Sequence, residues 1–137
     1  MFAGQTVAEV GDEYEGDLLG GDPFGAWEAA ARQAVDAVSA PGALDRTVHL
    51  SFGDFPGSEY AWQLSADHLI HGWDLAHAIG ADEQLEPDLV EAIASWYVER
   101  EDLYRQVGAV ADRVDVPDNA DPQTKLLAAF GRATSGA

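Results

Sequence analysis

The chain has 137 residues and is 47% hydrophobic, enough apolar content for one domain with a core. It carries 25 Asp and Glu against 7 Lys and Arg, a net charge of −18. Such a surface repels nucleic-acid phosphates and anionic lipid, so neither is an expected partner. Cys is absent, which removes disulfides, thiolate metal sites and a Cys nucleophile. That usage suits a reducing cytoplasm, the expected location. No apolar run approaches the roughly 20 residues of a membrane span. The first 16 residues have no basic region ahead of an apolar one, so no signal peptide is expected.

Met1–Val10 places Phe2, Ala3, Val7 and Val10 on one helical stripe, with no capping residue ahead of it. Glu9 to Asp22 reads as a solvated helix end and loop. Asp22-Pro23 then supplies an N-cap and a first helical residue. The stripe Phe24, Trp27, Ala31, Ala34, Val35 and Val38 follows, ending at Pro41-Gly42. Thr47 to Ser51 alternates as a short strand does, and Gly53 to Gly57 has turn chemistry, so a strand or small hairpin is predicted.

Ser58 and Glu59 open the longest helix, which runs to Ile79 and stops at Gly80. It is apolar on nearly every side, as in the middle of a bundle. Glu86-Pro87 starts another helix, with Leu89, Val90, Ile93, Trp96, Tyr97 and Tyr104 on one face. Val114 to Asp121 is a loop rich in Pro and Asp. Pro122–Phe130 is a last short helix with Gly131 as its stop. Trp27, Trp62, Trp73 and Trp96 are expected to pack in the core.

Three of the four His and two Asp fall within the longest helix, from Asp67 to His77. Asp67 and His71 are four apart, so they project from one face on adjacent turns. That spacing lets a carboxylate and an imidazole share one metal ion. Asp74, one turn on, is placed to orient the His71 ring. A buried Asp–His pair that satisfies itself by hydrogen bonding is the competing reading. Two ligands are also fewer than the three a zinc site wants, so the chain by itself is expected to hold zinc weakly or not at all. The pair is expected to face a cavity inside the bundle. His49 reads as an exposed strand residue. No serine-hydrolase elbow, phosphate loop or calcium loop is present.

The string Leu64-Ser65-Ala66-Asp67-His68-Leu69-Ile70-His71-Gly72-Trp73-Asp74-Leu75-Ala76 resembles the signature helix of the mycothiol-dependent maleylpyruvate isomerase N-terminal domain. That family belongs to the DinB-like superfamily of metal-binding four-helix bundles. Asp17 to Pro23, Ala40 to Leu44, Phe52 to Gly57 and Val114 to Asp118 extend the likeness over almost the whole chain. The resemblance implies an all-α, antiparallel four-helix bundle, with a short β element near residues 47–51, in a single domain over residues 1–137. The family's metal is held by a His on its first long helix and by an acid and a His four apart on the third. The last two map onto Asp67 and His71. The first has no counterpart, because this chain begins where the stretch after that helix begins.

By that resemblance the protein is a metal-dependent transferase or isomerase acting on a small-molecule substrate. Its divalent metal, expected to be zinc, activates a low-molecular-weight thiol such as mycothiol. Asp67 and His71 are the ligands, and Asp74 belongs to the catalytic set as the group that orients the ring. The alternative is a non-catalytic binding module, or a structural module that dimerises. A bundle short of one helix exposes apolar faces, so a symmetric homodimer is expected, with Met1–Val10 packed against its partner or swapped into it.

Overall fold

The computed structural model describes residues 2–134. Six helices and two strands occur among them: α1 (Val7–Val10), α2 (Pro23–Ser39), β1 (Thr47–Leu50), β2 (Gly53–Pro56), α3 (Gly57–Ile79), α4 (Pro87–Tyr97), α5 (Glu101–Gln106) and α6 (Pro122–Ala129). The fold is therefore mixed α and β, which corrects the expectation of an all-α four-helix bundle. Two physical causes separate them. The extended run at Gly53–Pro56 satisfies its backbone by pairing antiparallel with β1, His49 opposite Asp54. Helices of 4, 6 and 8 residues are also too short to line a bundle from end to end.

The chain divides into two compact units, Met1–Gln63 and Leu64–Ala137. In the first, helix α1 is shorter than the predicted Met1–Val10 helix, whose residue Met1 lies outside the described residues. It also has a cap. The Thr6 hydroxyl accepts from the Glu9 amide at 3.2 Å, and the Glu9 carboxylate accepts from the Thr6 amide at 2.8 Å. This reciprocal capping box starts the helix at Val7. Asp22 caps α2 as predicted, accepting from the Gly25 amide at 3.0 Å. Yet α2 buries none of its residues, and Trp27 is 62% exposed. Trp62 is exposed as well, so two of the four Trp lie outside the core their spacing suggested.

The hairpin is tied to the start of α3. The Gly57 amide donates to the Arg46 carbonyl at 2.7 Å, and the Ser58 amide to the Leu44 carbonyl at 2.8 Å. This close approach needs Gly57, because a Cβ there would stand 2.2 Å from the Ala43 carbonyl oxygen. Arg46 reaches back to the Phe2 carbonyl at 2.7 Å, and Phe2 packs on Tyr60. Phe2, Ala43, Val48 and Leu50 are the buried apolar residues of this unit.

The second unit is built around Ala66, Ile70 and Trp73 of α3, which share one cluster with Val90, Ile93, Trp96 and Tyr97 of α4 and with Leu126, Leu127 and Phe130 at α6. Burial on α3 is thus a single stripe, and Leu75 and Ile79 stay exposed. Helix α4 packs on α6. Residues after Tyr97 leave the helix and restart as α5, where Tyr104 sets its ring edge-on to Trp96 and Tyr97. One predicted helix is therefore two, because folding back lets Tyr104 pack against its own predecessor. Asp121 caps α6 by accepting from the Thr124 amide at 3.0 Å. No helix among the described residues is long and apolar enough to cross a membrane.

Candidate functional site

Asp67, His71 and Asp74 occupy one side of α3, at helical spacings of four and three. The stripe Ala66, Ile70 and Trp73 anchors the helix from its buried side, so the acidic face turns to water. The side chains of Asp67 and His71 are 63% and 60% exposed. They do not face an internal cavity, which corrects that expectation: the helix is apolar on several sides but buried on only one.

The pair is nonetheless close. His71 Nε2 stands 3.2 Å from Asp67 Oδ1. The other ring nitrogen, Nδ1, donates to Asp74 Oδ2 at 3.1 Å. Asp74 therefore orients the imidazole as its spacing suggested, leaving Nε2 directed at Asp67.

Asp74 is itself fixed by a residue the sequence reading missed. Arg132 donates from Nε to Asp74 Oδ1 at 3.1 Å and from Nη2 to Asp74 Oδ2 at 2.8 Å, a two-point fork. The same guanidinium donates from Nη1 to the Phe130 carbonyl at 2.7 Å. The Arg132 hydrogen bonds hold the Asp74 carboxyl below its ordinary range, against the upward push of partial burial, with His71 adding to the lowering. Asp74 in turn raises Arg132. Gly131 turns the chain so that Arg132 can reach: its φ is +78°, and an added Cβ would meet Ala111 Cβ at 2.7 Å. Nothing local marks Arg132, which lies 58 residues from its partner.

The remaining His residues serve elsewhere. His68 donates from Nδ1 to the Leu64 carbonyl at 2.7 Å. His77 stacks on Trp73 at 5.0 Å and pairs with Glu83 at 3.0 Å. His49 is half-buried and pairs across the hairpin with Asp54 at 2.8 Å.

As a cation site, the donor set fits one edge of a coordination shell. Ligand bonds of about 2.0–2.1 Å at tetrahedral angles put neighbouring donors about 3.3 Å apart, close to the Asp67–His71 separation. The set is not closed, since among the described residues no three His, Asp or Glu converge to hold an ion. Asp74 is committed to Arg132 and His71, so it supports the ring rather than joining the edge.

No family model matches the chain. No solved structure matches it. It is similar to two uncharacterized proteins from two strains of Mycobacterium tuberculosis, 35% identical over 109 residues. The similarity covers 78% of this chain and 60% of each relative. The chain thus spans less than two thirds of the length of the curated relatives it matches.

Proposed function

We propose that the protein is a divalent-cation protein in which Asp67 and His71 supply two ligands, acting as a thiol-dependent transferase or isomerase on a small molecule in the cytoplasm. The observation that supports this most is the His71 ring, oriented through Nδ1 by Asp74 with Nε2 3.2 Å from the Asp67 carboxylate. A ring held in this way has one nitrogen directed at a shared ion position before any ion arrives. Zinc or a similar ion at this edge would lower the pKa of a low-molecular-weight thiol such as mycothiol, supplying a thiolate near neutral pH. The chain has no Cys, so the thiol is a cosubstrate. Asp67 and His71 hold the ion, Asp74 keeps the ring in place, and Arg132 keeps Asp74 in place. Water or a donor from a second copy of the chain completes the shell.

A titration of chelator-treated protein with Co²⁺, followed by amide NMR and visible absorption, tests this. Weak, saturable binding is expected, with the largest shifts around Asp67 and His71. His71→Ala or Asp67→Ala should abolish it, and His68→Ala should not. Adding a small thiol should bring a sulfur-to-cobalt charge-transfer band. A titration curve identical in wild type and His71→Ala would refute the reading.

Helix α2 supports a second reading, a non-catalytic module that pairs with another copy. Phe24, Trp27 and Val35 are exposed along a helix that buries nothing. At about 25 cal/mol per Å² their burial outweighs repulsion that physiological salt screens within about 8 Å. Light scattering at physiological salt should give a dimer that Trp27→Ser reduces to a monomer. A wild-type monomer at micromolar concentration would exclude this reading.

A further inference from the structure

The second unit contains a cleft of about 770 Å³ that has no role in the cation reading. It arises from the way α6 lies along α4. The Gln123 side chain accepts from the Leu85 amide at 2.9 Å and donates to the Glu83 carbonyl at 2.8 Å, which ties the start of α6 to the start of α4. Phe130, just after α6, stacks on Tyr97, the last residue of α4. The two helices therefore run side by side in the same direction. Between them Ala94 and Ala129 are too small to fill the groove.

The groove is long, and much of its lining is apolar. It extends along α4 from Pro87 to Val98, roughly 16 Å at the helical rise. Val90, Leu126 and Ala129 form a buried floor. Pro87, Ala94 and Val98 leave apolar surface in water, and Val98 is 67% exposed. A hydrocarbon tail laid in the groove takes that surface out of water.

The charges of the lining decide the other end of the ligand. Asp121 accepts from the Thr124 amide at 3.0 Å and from the Thr124 hydroxyl at 2.6 Å. Glu101 is taken up by Arg113, through contacts of 2.7 and 2.6 Å, and by Arg105. That leaves Glu91 and Lys125, whose side chains have no hydrogen bond or ion pair among the described residues. Lys125 is the unusual one. It is the single Lys of a chain with 25 Asp and Glu. The other basic residues are all Arg, and each donates to a carbonyl or pairs with a carboxylate. Lys125 belongs to the half of α6 beside the start of α4, so the groove has a spare cation towards one end and Val98 at the other. Glu91, exposed on α4, opposes an anion and tempers that attraction.

We propose that this groove binds a small carboxylate with an extended apolar tail, its carboxylate at the Lys125 ammonium and its tail along Ala94 towards Val98. The inference stands apart from the Asp67–His71 reading, and either can fail without the other.

Octanoate and octan-1-ol, which share a tail and differ in charge, test it on the full chain without added metal. Amide NMR titrations should show saturable shifts along α4 and α6 for both, with octanoate about three- to fivefold tighter at low ionic strength. Added salt should narrow that advantage. Lys125→Met keeps an unbranched apolar stem and should bring octanoate to the octanol level or below. Glu91→Gln should tighten octanoate and leave octanol unchanged. Ala94→Trp, which fills the groove from an exposed helix position, should abolish the shifts for both. The proposal is overturned if octanoate binds no tighter than octanol, if its advantage survives Lys125→Met, or if Ala94→Trp leaves both affinities unchanged. It is also overturned if the same amides shift on dilution with no probe present, which would place a second copy of the chain in the groove.

Discussion

Leu127→Ala is expected to lower the free energy of unfolding by about 2–5 kcal/mol. Leu127 has no solvent exposure and belongs to the cluster that includes Ile93, Tyr97 and Phe130. Removing its branched end leaves a space that rigid aromatic neighbours close poorly. The effect reaches beyond the lost contacts. Helix α6 has 8 residues, fewer than the roughly 12–15 at which an isolated helix becomes even marginal in water. Its helicity therefore depends on packing against α4. The chain emerging from α6 carries Arg132, so loosening α6 should also loosen the fork on Asp74. Urea denaturation should show a lower midpoint with an unchanged slope. Leu127→Met, which conserves volume, should cost less than about 1.5 kcal/mol. A loss below about 1 kcal/mol in Leu127→Ala would mean that this cluster does not hold α6.

Arg132→Met is expected to cost about 1–2 kcal/mol at neutral pH, the lower part of the range for hydrogen bonds to charged groups. The lower part applies because Asp74 is one-third exposed and water screens the pair. The pH dependence has a definite sign. The Asp74 carboxyl is depressed in the folded protein, chiefly by Arg132. Between its folded and unfolded values the unfolded chain binds more protons, so stability rises with pH across that window. The contribution is full above the ordinary carboxylate range and disappears as pH falls through the depressed folded value. In Arg132→Met the Asp74 carboxyl should titrate higher, and this part of the acid-side loss should shrink. Carboxyl NMR titration of Asp74, with urea melts at neutral and acid pH, measures both. Identical pH dependence in the two proteins would show that the fork carries no stability. The same variant should loosen the His71 ring and weaken Co²⁺ binding without removing either ligand.

The local signals in the sequence were strong where the cause is local. Asp22-Pro23 and Asp121-Pro122 start helices because the carboxylate caps amides within its own first turn, and both do so here. Val48 and Leu50 alternate with half-exposed neighbours because a strand has a two-residue period. The reach between Asp67 and His71, and between His71 and Asp74, follows from helix geometry and holds to within hydrogen-bond distances.

The tertiary structure decided whatever depends on a distant partner. Nothing in residues 98–100 forbids a helix, but the packing of Tyr104 on Trp96 and Tyr97 rewards a break. The apolar stripe of α2 and the apolar sides of α3 did not reveal which faces would be covered, because periodicity records what can be buried and not what arrives to bury it. Arg132 shows the same limit. Its identity is local, but its position against Asp74 depends on where Gly131 turns the chain after α6 has packed. Composition and spacing thus determined the starts of α2, α4 and α6, the small hairpin and the acid–imidazole reach. Long-range packing, which follows no sequence period, determined the exposed face of α3 and the arginine that holds Asp74.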